Sequence, residues 1–182
     1  MRLNKVLARG MVGAFLACTC LAATAPRAAA GDAAFFNSVI GTWSGPGRVV
    51  AGKYKGTRFV CDLTGSPLAK GKTGIAMGGH CRVGIFTQDM SAVISRGPEG
   101  YTGRFLDGAD NGGLDVTSGE VKANKVVVGI NRKQLYGAMV ASLHDKNTMN
   151  VTISVKVGER LVPVIGLTLA RDQAPAQVGA IE

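Results

Sequence analysis

The chain has 182 residues, of which 46% are hydrophobic and 18% charged, with 26 glycines, one tryptophan and a formal net charge of +9. That balance excludes a disordered chain, a coiled coil and a collagen-like repeat, and the length bounds the folded part to one domain. A moderate basic excess favours anionic surfaces but is too small by itself to argue for nucleic-acid binding.

The first thirty residues read as an address. Arg2, Lys5 and Arg9 precede the apolar stretch MVGAFLACTCLAATA, and AAA at 28–30 supplies small residues before Gly31. This is the layout of a secretory signal peptide cleaved before Gly31. The stretch is too short and alanine-rich for a membrane span. The alternative is a lipoprotein leader, in which FLAC ends on a lipidated Cys18. Cleavage at Gly31 removes four of the 21 basic residues (Arg2, Lys5, Arg9, Arg27) and none of the 12 acids, so the charge falls by four. Residues 31–182 are then expected as one β-barrel domain, periplasmic or secreted, with a loose tail from about 172.

GDAAFFNSVIG (31–41) predicts a short helix. Asp32 can cap its start, Phe35, Phe36, Val39 and Ile40 share a face, and Gly41 can close it. Beyond it the helical period vanishes. β-Rich runs follow near 42–51, 57–65, 75–84, 89–96, 100–107, 113–119, 124–131, 135–144, 148–157 and 161–170, separated by turn residues. In TMNVTISVKV the apolar set Met149, Val151, Ile153, Val155 and Val157 alternates with polar residues, so one face is dry and the other wet. Pro163 marks an edge or a bulge. Short connections imply antiparallel hairpins, and glycines within strands permit the bends of a closed sheet. The expected fold is an all-β, antiparallel up-and-down barrel of about eight to ten strands behind a short N-terminal helix.

Beyond the leader only Cys61 and Cys81 remain, each in phase with the apolar residues of neighbouring strands. An even pair in an oxidising compartment reads as a structural disulfide. With only His80 and His144 to join them, they make a poor zinc set, and no metal or cofactor is expected.

Gly41-Thr42-Trp43 places the one tryptophan at the start of the first strand, with Gly45 and Gly47 following on its face. Trp43 is expected to plug the base of the barrel above the helix. Arg171, ending the last strand, is its expected partner. A helical lead-in, Gly-x-Trp on the first strand and a late arginine resemble the calycin superfamily, the lipocalins and fatty-acid-binding-like barrels. The resemblance implies a cavity for a small apolar molecule. It stops at the superfamily, because this chain has neither a helix before its final segment nor a helix pair after its first strand.

In an up-and-down barrel the connections after odd strands share one end, opposite Trp43. That mouth collects Lys53, Lys55, Arg58, Arg132, Lys133 and Arg160 against the acids Asp107, Asp110 and Glu159, with Asp89 nearby, and its slight basic excess suits an anionic amphiphile or an anionic partner surface. The other reading of these residues is a set of scattered solvated cations.

Sequence signals for catalysis are weak. GKT at 71–73 has Ser66 where a P-loop needs glycine, and no helix follows. Ser44 and Ser118 lie in no nucleophile elbow. An enzyme is not expected. Three functions remain: an exported barrel binding a small apolar or anionic amphiphilic ligand; a ligand-free envelope-structure or protein-interaction domain of the same fold; and a small outer-membrane barrel, for which aromatic girdle residues are few. Expected partners are the amphiphile itself, an envelope protein or an anionic membrane surface, with no nucleic acid.

Overall fold

The structure, a computed structural model, describes residues 27–69, 71–106 and 113–172. The expected signal peptide up to residue 26, the lipidation alternative at Cys18 and the tail beyond 172 lie outside the described residues.

One helix leads ten strands: α1 (Arg27–Val39), β1 (Gly41–Val49), β2 (Arg58–Ser66), β3 (Gly74–Val83), β4 (Phe86–Gly97), β5 (Gly100–Leu106), β6 (Leu114–Lys122), β7 (Lys125–Arg132), β8 (Leu135–Leu143), β9 (Thr148–Val157) and β10 (Arg160–Arg171). Each strand pairs antiparallel with its sequence neighbours, and β1 pairs with β10 to close the barrel. Closure leaves no sheet edge, so every strand finds hydrogen-bonding partners on both sides. Pro163 cannot donate to the ladder, and the β9–β10 register shifts between Pro163 and Ile165. A second shift lies between Val116 and Ser118 and lets β6 run on to Lys122.

The period-2 pattern sorts the side chains. Trp43, Cys61, Ile75, Ile94, Val116, Val128, Met139, Met149 and Leu169 point inward and are buried. Their neighbours, such as Thr64, Thr102, Glu120, Asn150 and Thr168, face out and are exposed. The interior is apolar and the outer face mostly polar, with exposed Val60, Val93 and Leu106 among its residues, whereas the outer band of a membrane-spanning barrel is apolar. No helix among the described residues is long and apolar enough to cross a membrane.

The helix differs from its sequence expectation at its start. It begins at Arg27, so the expected cleavage point before Gly31 falls inside it, and Asp32 is an interior residue rather than a cap. The physical reason is Asp32's position on the buried face, in step with Phe35, Phe36 and Val39. Its carboxylate is spent on partners across the barrel. Gly41, at φ +123°, turns the chain from helix into strand.

Candidate functional site

The base of the barrel is built around Trp43. The ring is fully buried, and its indole N–H donates to the carbonyl of Val39 at 2.8 Å, which ties the first strand to the last turn of α1. The guanidinium of Arg171 lies over the ring, 4.1 Å from its centroid. The same group donates to the carbonyls of Ile40 (2.6 Å), Ser38 and Lys146 (3.0 Å). A cation here satisfies carbonyls at the helix C-terminus and meets the negative end of the helix dipole. One side chain thus joins helix, tryptophan, β10 and the β8–β9 turn.

The small residues around Trp43 serve its neighbours. A Cβ at Gly41 would sit 2.6 Å from Arg171 Nη1, so the glycine makes room for the arginine. A Cβ at Gly47 would sit 2.3 Å from the Phe59 ring, so that glycine makes room for a phenylalanine on the next strand.

A second tie lies toward the other end of the helix. Asp32 is buried, and its Oδ2 accepts hydrogen bonds from Arg96 Nη1 and the Tyr101 hydroxyl, both at 2.7 Å. Burial pushes the Tyr101 hydroxyl above its ordinary range, and its hydrogen bond to Asp32 and that residue's negative charge push the same way, against the lowering effect of Arg96. The Tyr101 ring packs on Phe36 at 5.7 Å, and Phe36 on Phe35 edge-on at 5.5 Å. The helix is therefore held across the barrel base by an acid at one end and by Arg171 at the other. Among the described residues no buried polar side-chain atom lacks a hydrogen-bond partner.

Above this floor the barrel is hollow. A cavity of about 150 Å³ is lined by Phe36, Ile75, Phe105, Ile153, Leu167 and Leu169 and by four methionines, Met77, Met90, Met139 and Met149. Nearer the mouth, Cys61 and Cys81 face each other on β2 and β3 and form a disulfide pointing into the barrel. It pins two neighbouring strands.

The connections β1–β2, β3–β4, β5–β6, β7–β8 and β9–β10 lie at the end away from the helix. Lys53, Lys55, Arg58, Arg132, Lys133 and Arg160 all belong to this end. They sit on three hairpins that are consecutive around the rim, β7–β8, β9–β10 and β1–β2, so they form one side of the mouth. Arg132 donates to the carbonyl of Gly113. Lys53 lies 5.5 Å from the Tyr54 ring. Lys53, Lys55, Arg58, Lys133 and Arg160 have no ion-pair partner among the described residues, whereas Lys156 nearby meets Glu159 at 3.7 Å.

On the outer wall Ser44, Asp62 and His80 stand side by side on β1, β2 and β3. Ser44 Oγ donates to Asp62 Oδ1 at 2.7 Å. Asp62 Oδ2 meets Arg82 at 2.8 Å and lies 3.5 Å from His80 Nε2. A nucleophilic triad needs the imidazole against the hydroxyl with the carboxylate behind it. Here the carboxylate stands between the two, so the imidazole is not placed to take the serine proton. Among the described residues no three His, Cys, Asp or Glu side chains are grouped to hold a metal ion.

Sequence reasoning missed the Asp32–Arg96–Tyr101 cluster, whose members are far apart in the chain. It also missed the apolar character of the mouth. Ile85 and Phe86 at the β3–β4 turn are 92% and 74% exposed, and Leu135, Tyr136, Val157 and Leu161 are exposed at two further turns of this end. The available signal was an isoleucine in the two-residue turn after Val83, a place where polar residues are usual.

No family model matches the chain, and no curated protein matches it. Solved structures similar to it include the crystal structure of Rv2717c from M. tuberculosis, 10% identical, aligned over 75% of this chain and 94% of that one with a TM-score of 0.46.

Proposed function

We propose that this protein is an exported, non-enzymatic barrel that takes the apolar part of a small molecule into its methionine-lined interior, with an anionic head favoured by the cations of the mouth. The observation that carries this reading is the apolar cavity of about 150 Å³ above the helix floor. Dry apolar space of this size accepts a guest as large as benzene. Methionine side chains are flexible and repack readily, so a longer alkyl chain enters by displacing them. An inward-facing disulfide suits an oxidising compartment, which supports export to the periplasm or outside the cell. The Gly-x-Trp start, the Arg171 stack and a lead-in helix support a calycin-like ancestry.

The test is calorimetric titration with decanoate and decanol, followed in parallel by Trp43 fluorescence. Decanoate is expected to bind one to one. Charge reversal by Lys133→Glu with Arg160→Glu should weaken it about tenfold, equivalent to about 1.4 kcal/mol, and leave decanol unchanged. Ala141→Leu, which grows into the cavity, should weaken both. A second reading, the ligand-free envelope or interaction domain, is favoured by one observation: the cavity is smaller than the roughly 300–1,000 Å³ of typical ligand sites. Absence of heat and of fluorescence change with every amphiphile would select it.

A further inference from the structure

The mouth carries a pattern that binding a molecule inside the barrel does not need. Large apolar side chains at the strand ends and in one turn are exposed to solvent. Ile85 and Phe86 lead on β3–β4, Leu135 and Tyr136 follow on β7–β8, and Val157 and Leu161 on β9–β10. The connections at the helix end carry no large exposed hydrophobic among the described residues. An apolar rim at one end and a polar one at the other is an oriented surface, not scattered exposure.

Cations are interleaved with these tips. Lys53 and Lys55 flank Tyr54, Lys133 lies two residues before Leu135, and Arg160 precedes Leu161. None of these four has an ion-pair partner among the described residues. A protein partner would offer a shaped apolar patch with fixed acids. A lipid bilayer offers a flat interface with mobile anionic headgroups over an apolar layer. Among the described hairpin tips of this end, three set cations next to exposed apolar residues in the chain, and the β3–β4 tip beside them is apolar alone. That is the chemistry by which a peripheral protein seats on a membrane: apolar side chains at the acyl boundary, cations at the phosphates.

We propose that the mouth rim docks end-on on an anionic lipid bilayer, with Ile85 and Phe86 entering the interface and Lys53, Lys55, Lys133 and Arg160 contacting headgroup phosphates. The surface exists whether or not the interior takes a ligand, so the proposal stands apart from the ligand reading. When both hold, the barrel opens directly onto the lipid.

The test is co-sedimentation with vesicles of phosphatidylcholine alone and of phosphatidylcholine mixed with phosphatidylglycerol, at low and high salt. It uses the chain as recovered from the expressing cell, with its N-terminus read by mass spectrometry. Binding should be roughly tenfold or more tighter to the mixed vesicles and should weaken with salt. Ile85→Ser with Phe86→Ser should abolish most of it. Lys53→Glu with Lys133→Glu and Arg160→Glu should remove the preference for phosphatidylglycerol. Circular dichroism and melting controls show that these exposed substitutions leave the barrel folded. Decanoate titration of the Ile85→Ser/Phe86→Ser variant separates the two proposals, because the interior is untouched. The proposal is overturned by failure to sediment with mixed vesicles at low salt, or by binding that survives loss of the apolar tips. Self-association through the mouth, seen by ultracentrifugation and lost in Ile85→Ser/Phe86→Ser without any vesicle binding, also overturns it in favour of a second copy of this chain.

Discussion

Replacing Arg171 by methionine tests the account of the barrel base. Methionine keeps most of the length and apolar bulk of the arginine and removes the guanidinium. Three hydrogen bonds to main-chain carbonyls are lost, one part-buried to Ile40 and two exposed to Ser38 and Lys146, together with the stack on Trp43. The part-buried, charge-assisted bond is worth about 1.5 kcal/mol and the exposed ones about 0.5 kcal/mol each. The cation over a desolvated indole adds about 1 kcal/mol. The expected loss is then about 3–4 kcal/mol, a drop in Tm of roughly 10 °C for a domain of this size. Urea unfolding followed by circular dichroism measures it. Arg171→Lys keeps the charge but not the planar fork and should recover less than half. Pairing Arg171→Met with Trp43→Leu in a double-mutant cycle should give a coupling of about 1 kcal/mol. A loss below about 1 kcal/mol, or zero coupling, refutes the view that one guanidinium binds helix, tryptophan and β8–β9 turn together.

Three further predictions concern the other ties. Tyr101→Phe removes a hydroxyl that donates to buried Asp32 and should cost about 2 kcal/mol at neutral pH. Because the folded Tyr101 hydroxyl titrates above its unfolded value of about 10, its contribution is complete below pH 10 and is lost as pH rises through the folded value. Alkaline titration should therefore destabilise the wild type more steeply than Tyr101→Phe; equal slopes would contradict the assignment. Replacing Cys61 and Cys81 together by alanine opens a loop of twenty residues and should cost about 3 kcal/mol, read as a matching drop in the urea midpoint.

The barrel was legible in the sequence because alternation is a local signal. Met149 to Val157 announce a two-faced strand without help from the rest of the chain. The same phase argument puts Cys61 opposite Cys81, which the β2–β3 register pairs directly. Local rules failed where a residue takes a distant partner. Asp32 looks like a cap because caps are acids near helix starts, but Arg96 and Tyr101 lie more than sixty residues away and bring it inside. Gly47 reads as a neighbour of Trp43 by phase, whereas the ring it accommodates belongs to Phe59, across a strand boundary. The cations of the mouth could be gathered from topology alone. The exposure of Ile85 and Phe86 had only a local hint, their place between two predicted strands, and the hairpin geometry shows both standing largely in solvent.

The account rests on an interior that an apolar guest can enter. Diffraction from crystals held under xenon gas tests that most directly, since xenon is small, apolar and strongly scattering. The expected result is a xenon peak inside the barrel among Phe36, Met77, Met139 and Met149. Well-ordered side chains filling that space, with xenon bound only elsewhere or nowhere, would contradict it.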